Sequence, residues 1–237
     1  MINEYDYPTV EKVILSQHIE QCVAGAHWIK EEYGLESIKS WKDVPGWIND
    51  AQWIFKEAVD NCSDGDTLLE IGTYFGQSAC YMGELIKESG KNIRFDTFDT
   101  FDLDASFIAG FHPEQFTKYR QGDDLRTTPM FEVVKTHLKK CGVETYVNSI
   151  ICDGNYAYKL YEDDSLMMIY TDGINNSENL FEFLNNFWPK LKKGGILAGD
   201  DIIFEDVQNG VNKFCKEHNI DWESDVRKTE LSWFIKK

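Results

Sequence analysis

The apolar and polar positions of the chain predict short buried strands that alternate with helices. Apolar runs bounded by glycine or acidic residues indicate strands, and apolar residues that recur every three to four positions indicate helices. The predicted strands span residues 67–71, 92–98, 145–152, 166–171 and 196–199. The predicted helices span residues 78–89, 129–140, 177–191 and 207–218. This alternation favours an α/β fold with a doubly wound parallel sheet, and the apolar segments 222–226 and 231–235 are candidates for an antiparallel pair at its end.

The N-terminal part of the chain is predicted to be helical. Apolar residues at helical spacing cover residues 10–33 and 47–62, and Pro45 precedes the second helix. These helices either cover one edge of the sheet or roof a substrate pocket, and the sequence is compatible with both. We therefore divide the chain into a helical extension or cap, residues 1–63, and a main domain, residues 64–237.

Residues 101–128 interrupt the regular order of elements. They mix aromatic and polar residues without a clear period, and an irregular insert of this length inside a domain is typical of a lid or a binding loop. We expect a lid-like insert. His112 within it is a candidate catalytic base, although a single loop histidine is more often simply solvated.

The first predicted strand leads directly into a glycine loop and a helix. Glu70 lies near the end of the strand, Gly72 and Gly76 follow, and Ser78 opens the helix. Glycines permit a tight turn and close approach to the backbone, and the free N–H groups of a helix start favour an anionic group. The spacing is GxxxG and not the GxGxxG of dinucleotide folds. These residues alone therefore fit a ligand loop and an ordinary tight turn equally well.

The later predicted strands end in acidic residues. Asp99 closes the second strand, where a carboxylate of a doubly wound sheet often accepts hydrogen bonds from ribose hydroxyls. Asp153 closes the third strand, Asp172 the fourth, and Asp200 and Asp201 the fifth. The alternatives are a solvated turn for the acids after the second and fourth strands, and a helix cap for those after the fifth.

Composition narrows the possible classes of function. A hydrophobic content of 42% and an aromatic content of 14% indicate a folded globular protein. The net charge of −17 argues against partners such as nucleic acids or anionic membranes. The six cysteines form no CxxC or Cys/His cluster, and there is neither a signal peptide nor a long apolar run. We therefore expect a soluble cytoplasmic protein with reduced cysteines.

Three segments together resemble class I S-adenosylmethionine-dependent methyltransferases: LLEIGTYFGQSACYM, IRFDTFD and TDG…FWPKLKKGGILAGDD. More narrowly, they are similar to the group that includes macrolide and aminocoumarin sugar O-methyltransferases. The resemblance implies a Rossmann-like, mostly parallel seven-stranded sheet with helices on both faces and an antiparallel last strand. It also implies O-methyl transfer from S-adenosylmethionine to a small-molecule hydroxyl, for example of a sugar, and it is compatible with a homo-oligomer.

The resemblance also assigns a cofactor site. The implied cofactor-binding residues are Glu70, Gly72, Thr73, Gly76, Ser78, Asp99, Asp153, Gly154 and Asp172. In this pattern Glu70 and the glycines face the methionine half of the cofactor, Asp99 faces the ribose and Asp153 faces the adenine.

A metal site follows from the same fold. The ends of the fourth and fifth strands would lie side by side, about 4.8 Å apart in a paired sheet, which gathers Asp172, Asp200 and Asp201. Three neighbouring carboxylates repel one another unless a cation binds among them. Oxygen ligands favour Mg²⁺, with Ca²⁺ or Mn²⁺ as substitutes. Such a cation would lower the pKa of a coordinated hydroxyl and orient it toward the methyl group.

The catalytic candidates are Asp172 and His112. Related sugar O-methyltransferases carry a further acid or histidine a few residues after the first metal aspartate, where this chain has Ile174 and Asn175. Two alternatives therefore stay open. One is a cofactor-binding protein with little transfer activity, and the other is a nicotinamide-dependent oxidoreductase, against which the missing GxGxxG and the acidic patch argue.

Overall fold

The computed structural model of the protein describes residues 38–101, 130–174 and 176–237. The strands are β1 (Thr67–Ile71), β2 (Arg94–Asp99), β3 (Asn148–Ile151), β4 (Leu166–Thr171), β5 (Leu191–Gly199), β6 (Val226–Lys228) and β7 (Trp233–Lys236). The α-helices are α1 (Gln52–Asn61), α2 (Gln77–Ser89), α3 (Met130–Lys140), α4 (Ser177–Phe187) and α5 (Glu205–Glu217). Short 3₁₀ helices span Trp41–Asp43, Ile48–Asp50, Gly154–Leu160 and Trp188–Lys190.

These seven strands form one sheet in the order β3-β2-β1-β4-β5-β7-β6. Strands β1 to β5 are parallel, whereas β7 runs antiparallel to both β5 and β6. The predicted Rossmann-like, mostly parallel sheet is confirmed. Because the strand order reverses beside β1, the ligand crevice of such a sheet is expected at the carboxyl ends of β1 and β4.

The strand register aligns these carboxyl ends. Ile71 of β1 lies beside Phe98 of β2 and Thr171 of β4, and Thr171 lies beside Gly199 of β5. The residues that follow these four strands therefore emerge together at one edge of the sheet.

Alternating strand residues fill a core on each face of the sheet. Leu68 and Met168 pack on the face covered by α1, α2 and α3, whereas Leu69 and Ile169 pack on the face covered by α4 and α5. This alternation is the one that a sheet covered on both faces requires. Among the described helices, none has the length and apolar character needed to cross a bilayer.

The boundary between α4 and β5 differs from the prediction. The helix predicted for residues 177–191 ends at Phe187, and Pro189 lies in the 3₁₀ turn that follows. Proline lacks the N–H donor that would continue an α-helix. Strand β5 then begins at Leu191, five residues before the predicted strand, because the Lys-Lys-Gly-Gly stretch belongs to it.

The N-terminal helical prediction is tested only in part. The helix predicted for residues 47–62 begins at Gln52, after a 3₁₀ turn. The helix predicted for residues 10–33 lies outside the described residues, as does the lid-like insert apart from Phe101. The division at residue 63 stays a prediction.

Candidate active site

The glycine loop after β1 crosses closely over the ends of β2 and β4. The N–H of Gly72 donates to the carbonyl of Phe98, and the N–H of Asp172 donates to the carbonyl of Ile71, each at 2.8 Å. Gly72 has a φ of +95°, and a Cβ at this position would overlap the carbonyl oxygen of Asp172. Only glycine adopts this φ without strain and has no Cβ. Gly72 therefore allows the backbone of the loop to pass close to that of Asp172.

The start of α2 is supported from behind by α3. The N-cap residue of α2 is Gly76, which has a φ of +85° and no side chain that could cap the helix. The first-turn N–H groups have no partner within their own helix. Val134 lies 3.0 Å from the place where a Cβ on Gly76 would be. Nδ1 of the buried His137 donates to the carbonyl of Phe75 at 2.8 Å. Burial lowers the pKa of His137 to about 4, so its ring is neutral at pH 7.

Asp99 holds the backbone of the glycine loop. Its Oδ2 accepts hydrogen bonds of 2.9 Å from the N–H groups of Thr73 and Tyr74, and its Oδ1 accepts one of 2.8 Å from Phe101. A carboxylate offers about four acceptor positions. Described residues use three of these positions, so they leave about one for the ribose hydroxyls that the sequence pairs with Asp99.

Glu70 is fully buried beneath the loop. Its Oε2 accepts a hydrogen bond from the Thr97 hydroxyl at 2.6 Å, and that hydroxyl lies 2.6 Å from the Thr73 hydroxyl. Among the described residues, none forms a hydrogen bond with its Oε1. Burial raises the pKa of Glu70 to about 7, and the Ser78 and Thr97 hydroxyls offset only part of this effect. A short polar chain thus links the loop to a buried carboxyl group.

The strand-end aspartates form an acidic patch. Burial raises the pKa of Asp172 well above its usual range, and the neighbouring charges of Asp200 and Asp201 raise it further. Asp172 keeps exposed surface because it faces an open cavity. The pKa of Asp200 is raised to about 6, again mainly by burial, while its Oδ1 accepts a hydrogen bond of 3.0 Å from the Ser232 hydroxyl.

The predicted metal ligands share this patch but do not form a ligand set. Within the described part of the chain, no three His, Cys, Asp or Glu side chains converge closely enough to hold a metal ion. The register does bring Asp172 and Asp200 side by side, with the N–H of Asp200 donating to Thr171 at 3.1 Å.

A cavity of ≈ 630 Å³ joins the glycine loop to the acidic patch. The predicted site residues in its wall are Gly72, Thr73, Ser78, Asp99, Asp172, Asp200 and Asp201. The volume lies within the range of small-molecule sites. Seven of the residues predicted for the site therefore line one cavity.

Asp153 and Gly154 have structural roles at the turn after β3. Asp153 caps the 3₁₀ helix after β3 by accepting a hydrogen bond of 2.9 Å from the N–H of Asn155. A Cβ on Gly154 would overlap the side chain of Ile71. A contact of either residue with adenine stays a prediction. His112 and Asn175 lie outside the described residues, and Ile174 packs against the core.

Residues 44–50 form a roof over the cavity, which is one of the two roles with which the sequence was compatible. The roof segment, residues 44–50, is held by the side chain of Gln77, which donates to the carbonyl of Val44 at 2.7 Å and accepts from the N–H of Ile48 at 3.1 Å. At its other end, Oδ2 of Asp50 accepts 2.9 Å hydrogen bonds from the N–H groups of Leu231 and Ser232. The roof is thereby tied to α2 and to the turn before β7.

Trp47 of the roof segment faces the cavity. Its indole is 48% exposed and stacks on the ring of Tyr74, with centroids 5.6 Å apart and planes at 21°. Trp47 is the first residue of the helix predicted for residues 47–62, but the helix starts only at Gln52. Helical periodicity does not distinguish a residue in a core from one in a cavity wall, and Pro45-Gly46 was the only sign of an irregular segment.

A doubly wound sheet with a glycine loop after β1, an acid at the end of β2 and acids after β4 and β5 defines a class I S-adenosylmethionine-dependent methyltransferase. The model of the methyltransferase domain family matches residues 69–202, more than half of the chain. The chain belongs to this family. The enzyme class predicted from the sequence is thereby confirmed.

Solved structures show the same fold. The O-methyltransferase NovP is 15% identical, with a TM-score of 0.56 over 93% of this chain and 97% of that chain. A putative caffeoyl-CoA O-methyltransferase from Staphylococcus aureus is 17% identical, with a TM-score of 0.51 over 97% and 100%. The TDP-rhamnose 3′-O-methyltransferase CalS11 of calicheamicin biosynthesis is 16% identical, with a TM-score of 0.50 over 78% and 76%. Curated proteins yield no match to this chain.

Proposed function

We propose that this chain transfers the methyl group of S-adenosylmethionine to a hydroxyl group of a small molecule, with the cofactor at the glycine loop and the acceptor beside Asp172. One observation carries this proposal: the glycine loop and the strand-end aspartates open into the same cavity. Family membership favours methyl transfer over the nicotinamide-dependent alternative.

The proposed cofactor-binding residues are Glu70, Gly72, Thr73, Gly76, Ser78, Asp99, Asp153, Gly154 and Asp172. The uncapped start of α2 supports this assignment, because such N–H groups suit the carboxylate of the methionine half. Asp99 retains about one acceptor position for the ribose. The negative charges around the cavity complement the positive sulfonium of the cofactor.

Methyl transfer is a nucleophilic substitution at the methyl carbon. A lone pair of the acceptor oxygen forms the new C–O bond, the S–CH₃ bond breaks with its electron pair kept on sulfur, and the hydroxyl proton leaves. The products are the methyl ether, S-adenosylhomocysteine and a proton. The chain therefore has to align the oxygen with the methyl carbon and receive or release the proton.

Asp172 is the proposed catalytic residue. Its raised pKa makes the carboxylate of Asp172 more basic than that of an ordinary aspartate, as a proton acceptor requires. The second candidate, His112, stays a prediction. Ile174 has no group that could accept a proton, so the proton passes to one of these two residues or to water.

We also propose that Asp172, Asp200 and Asp201 bind Mg²⁺, or Ca²⁺ or Mn²⁺ in its place. Carboxylate oxygens suit these hard cations, and carboxylates with raised pKa values gain from a nearby positive charge. Their side chains have to converge further than they do in this structure. When bound, the cation would lower the pKa of the acceptor hydroxyl.

Two measurements test this proposal. Calorimetric titration should detect binding of S-adenosylhomocysteine and no binding of NAD. Electron paramagnetic resonance should show that Mn²⁺ binds to the wild-type protein and to the control variant Asp206→Asn, whose side chain is exposed at the start of α5, but far more weakly to Asp172→Asn. Equal Mn²⁺ binding by all three proteins would exclude the proposed cation site without affecting the cofactor site.

A further inference from the structure

The outer part of the cavity combines aromatic and acidic walls. Trp47 is 48% exposed and Phe204 is 49% exposed, and both line the cavity together with Asp172, Asp200 and Asp201. Large exposed apolar side chains beside polar groups are typical of a ligand-binding surface. This part of the cavity therefore suits a molecule that has both an apolar face and hydroxyl groups.

Trp47 is held in place before any ligand arrives. Its ring stacks on Tyr74 of the glycine loop, and both hydrogen bonds of Gln77 fix the backbone on either side of it. An aromatic side chain has few rotatable bonds, so little conformational freedom is lost when a ligand packs against it. Trp47 is thus suited to stack on the ring of an acceptor.

The polar wall of the cavity is negative. Four carboxylates line it, those of Asp99, Asp172, Asp200 and Asp201. A divalent cation bound by Asp172, Asp200 and Asp201 would still leave these four carboxylates with a net negative charge. A ligand with a phosphate or carboxylate group near them therefore meets charge repulsion, whereas a neutral or cationic ligand does not. The charge of the wall therefore selects among acceptors.

We propose that the space between Trp47 and Phe204 is the acceptor subsite, and that it takes a neutral or cationic ring compound carrying a hydroxyl group. The ring stacks on Trp47 and the hydroxyl faces Asp172. Sugars attached to a nucleoside diphosphate and acyl groups attached to coenzyme A are disfavoured by their negative charge. This inference rests on the proposed methyl transfer and names its substrate class.

The test uses acceptors that share a ring and differ in charge. Release of S-adenosylhomocysteine by the full chain is measured with S-adenosylmethionine and each acceptor of two series. The pyranose series compares methyl rhamnoside with TDP-rhamnose. The dihydroxyphenyl series compares 4-methylcatechol and dopamine with 3,4-dihydroxyphenylacetate.

In each series that is methylated, we expect the neutral or cationic member to exceed the anionic one in kcat/KM by about tenfold or more, and the difference to shrink at high ionic strength. An anionic member that reacts as well as its neutral counterpart would overturn the proposal. So would binding of S-adenosylhomocysteine with no methylation in either series. Absence of S-adenosylhomocysteine binding would instead contradict the proposed function itself.

Variants of Trp47 test the subsite directly. Trp47→Ala should raise KM for the methylated acceptor by about tenfold, Trp47→Phe should recover part of that loss, and the affinity for S-adenosylhomocysteine should change little. The control is Tyr156→Ala, because Tyr156 is 58% exposed and does not line the cavity. Kinetics of Trp47→Ala that match those of Tyr156→Ala would remove Trp47 from the subsite, as would a loss confined to cofactor affinity.

Discussion

Oδ2 of Asp99, the last residue of β2, accepts a hydrogen bond of 2.9 Å from the backbone N–H of Thr73 in the glycine loop. This contact joins the two features that define the proposed cofactor site. Asp99 thereby stabilises the loop even without a bound ligand. Loss of its carboxylate is expected to loosen the loop as well as to remove a partner of the ribose.

The close crossing at Gly72 predicts a severe effect of Gly72→Ala. The added Cβ meets the carbonyl of Asp172, and φ is positive, so we expect a loss of at least about 3 kcal/mol in the free energy of unfolding. The matched control is Gly65→Ala. Gly65 has a φ of +89°, and among the described residues only its chain neighbours come within 4 Å of the added Cβ. The free energy of unfolding of Gly65→Ala should fall by only about 1–2 kcal/mol, the backbone strain of a non-glycine residue at positive φ. Equal losses in urea denaturation would show that the crossing is not tight.

The hydrogen bond from His137 to Phe75 predicts that α3 stabilises the glycine loop. In His137→Leu a buried donor is lost, which is expected to lower the free energy of unfolding by about 1–3 kcal/mol and to weaken binding of S-adenosylhomocysteine. His137→Asn can still place an N–H near the position of Nδ1 and should be milder in both measurements. If Leu and Asn variants bind the cofactor product as the wild type does, the support from α3 is not needed for binding.

The raised pKa of Glu70 predicts a particular dependence of stability on pH. Its pKa is about 7 in the folded state, above the ordinary value of 4.5, so the folded state holds the proton more tightly. The corresponding stabilisation is present below pH 4.5 and is lost as the pH rises through about 7. Glu70→Gln should remove this loss, and its stability relative to the wild type should rise by up to about 3 kcal/mol between about pH 5 and pH 8.

His137 acts in the opposite direction over an overlapping range. Its pKa is lowered from 6.5 to about 4, so its contribution to stability is lost as the pH falls through that interval. The comparison must therefore be the difference between Glu70→Gln and the wild type at each pH, in which the contribution of His137 cancels. Parallel stability curves for the two proteins would contradict the raised pKa of Glu70.

The sheet and much of the cavity wall could be predicted from the sequence because local patterns determine them. Buried strands such as β1 and β4 are continuous apolar runs, and the residue after each lies at the same edge once the strands pair in parallel. The places of Gly72 and Asp99 in the cavity wall follow from these patterns, whereas their contacts with the cofactor stay a prediction.

The roof of the cavity could not be predicted because it depends on contacts distant in sequence. Gln77 holds residues about 30 positions away, and Asp50 binds the turn before β7 from the other end of the chain. Neither contact leaves a periodic signal. For the same reason, apolar spacing alone assigned Trp47 to a helix face.

The most direct test of the account is the affinity of the wild type and of Asp99→Ala for S-adenosylhomocysteine, measured by calorimetric titration. We expect the wild type to bind and Asp99→Ala to bind more weakly by roughly 1.5–3 kcal/mol, as for a lost hydrogen bond to a charged group. Asp99→Asn keeps one acceptor oxygen and should fall between the two. No binding by the wild type, or equal affinity of the wild type and a folded Asp99→Ala, would contradict the proposed cofactor site.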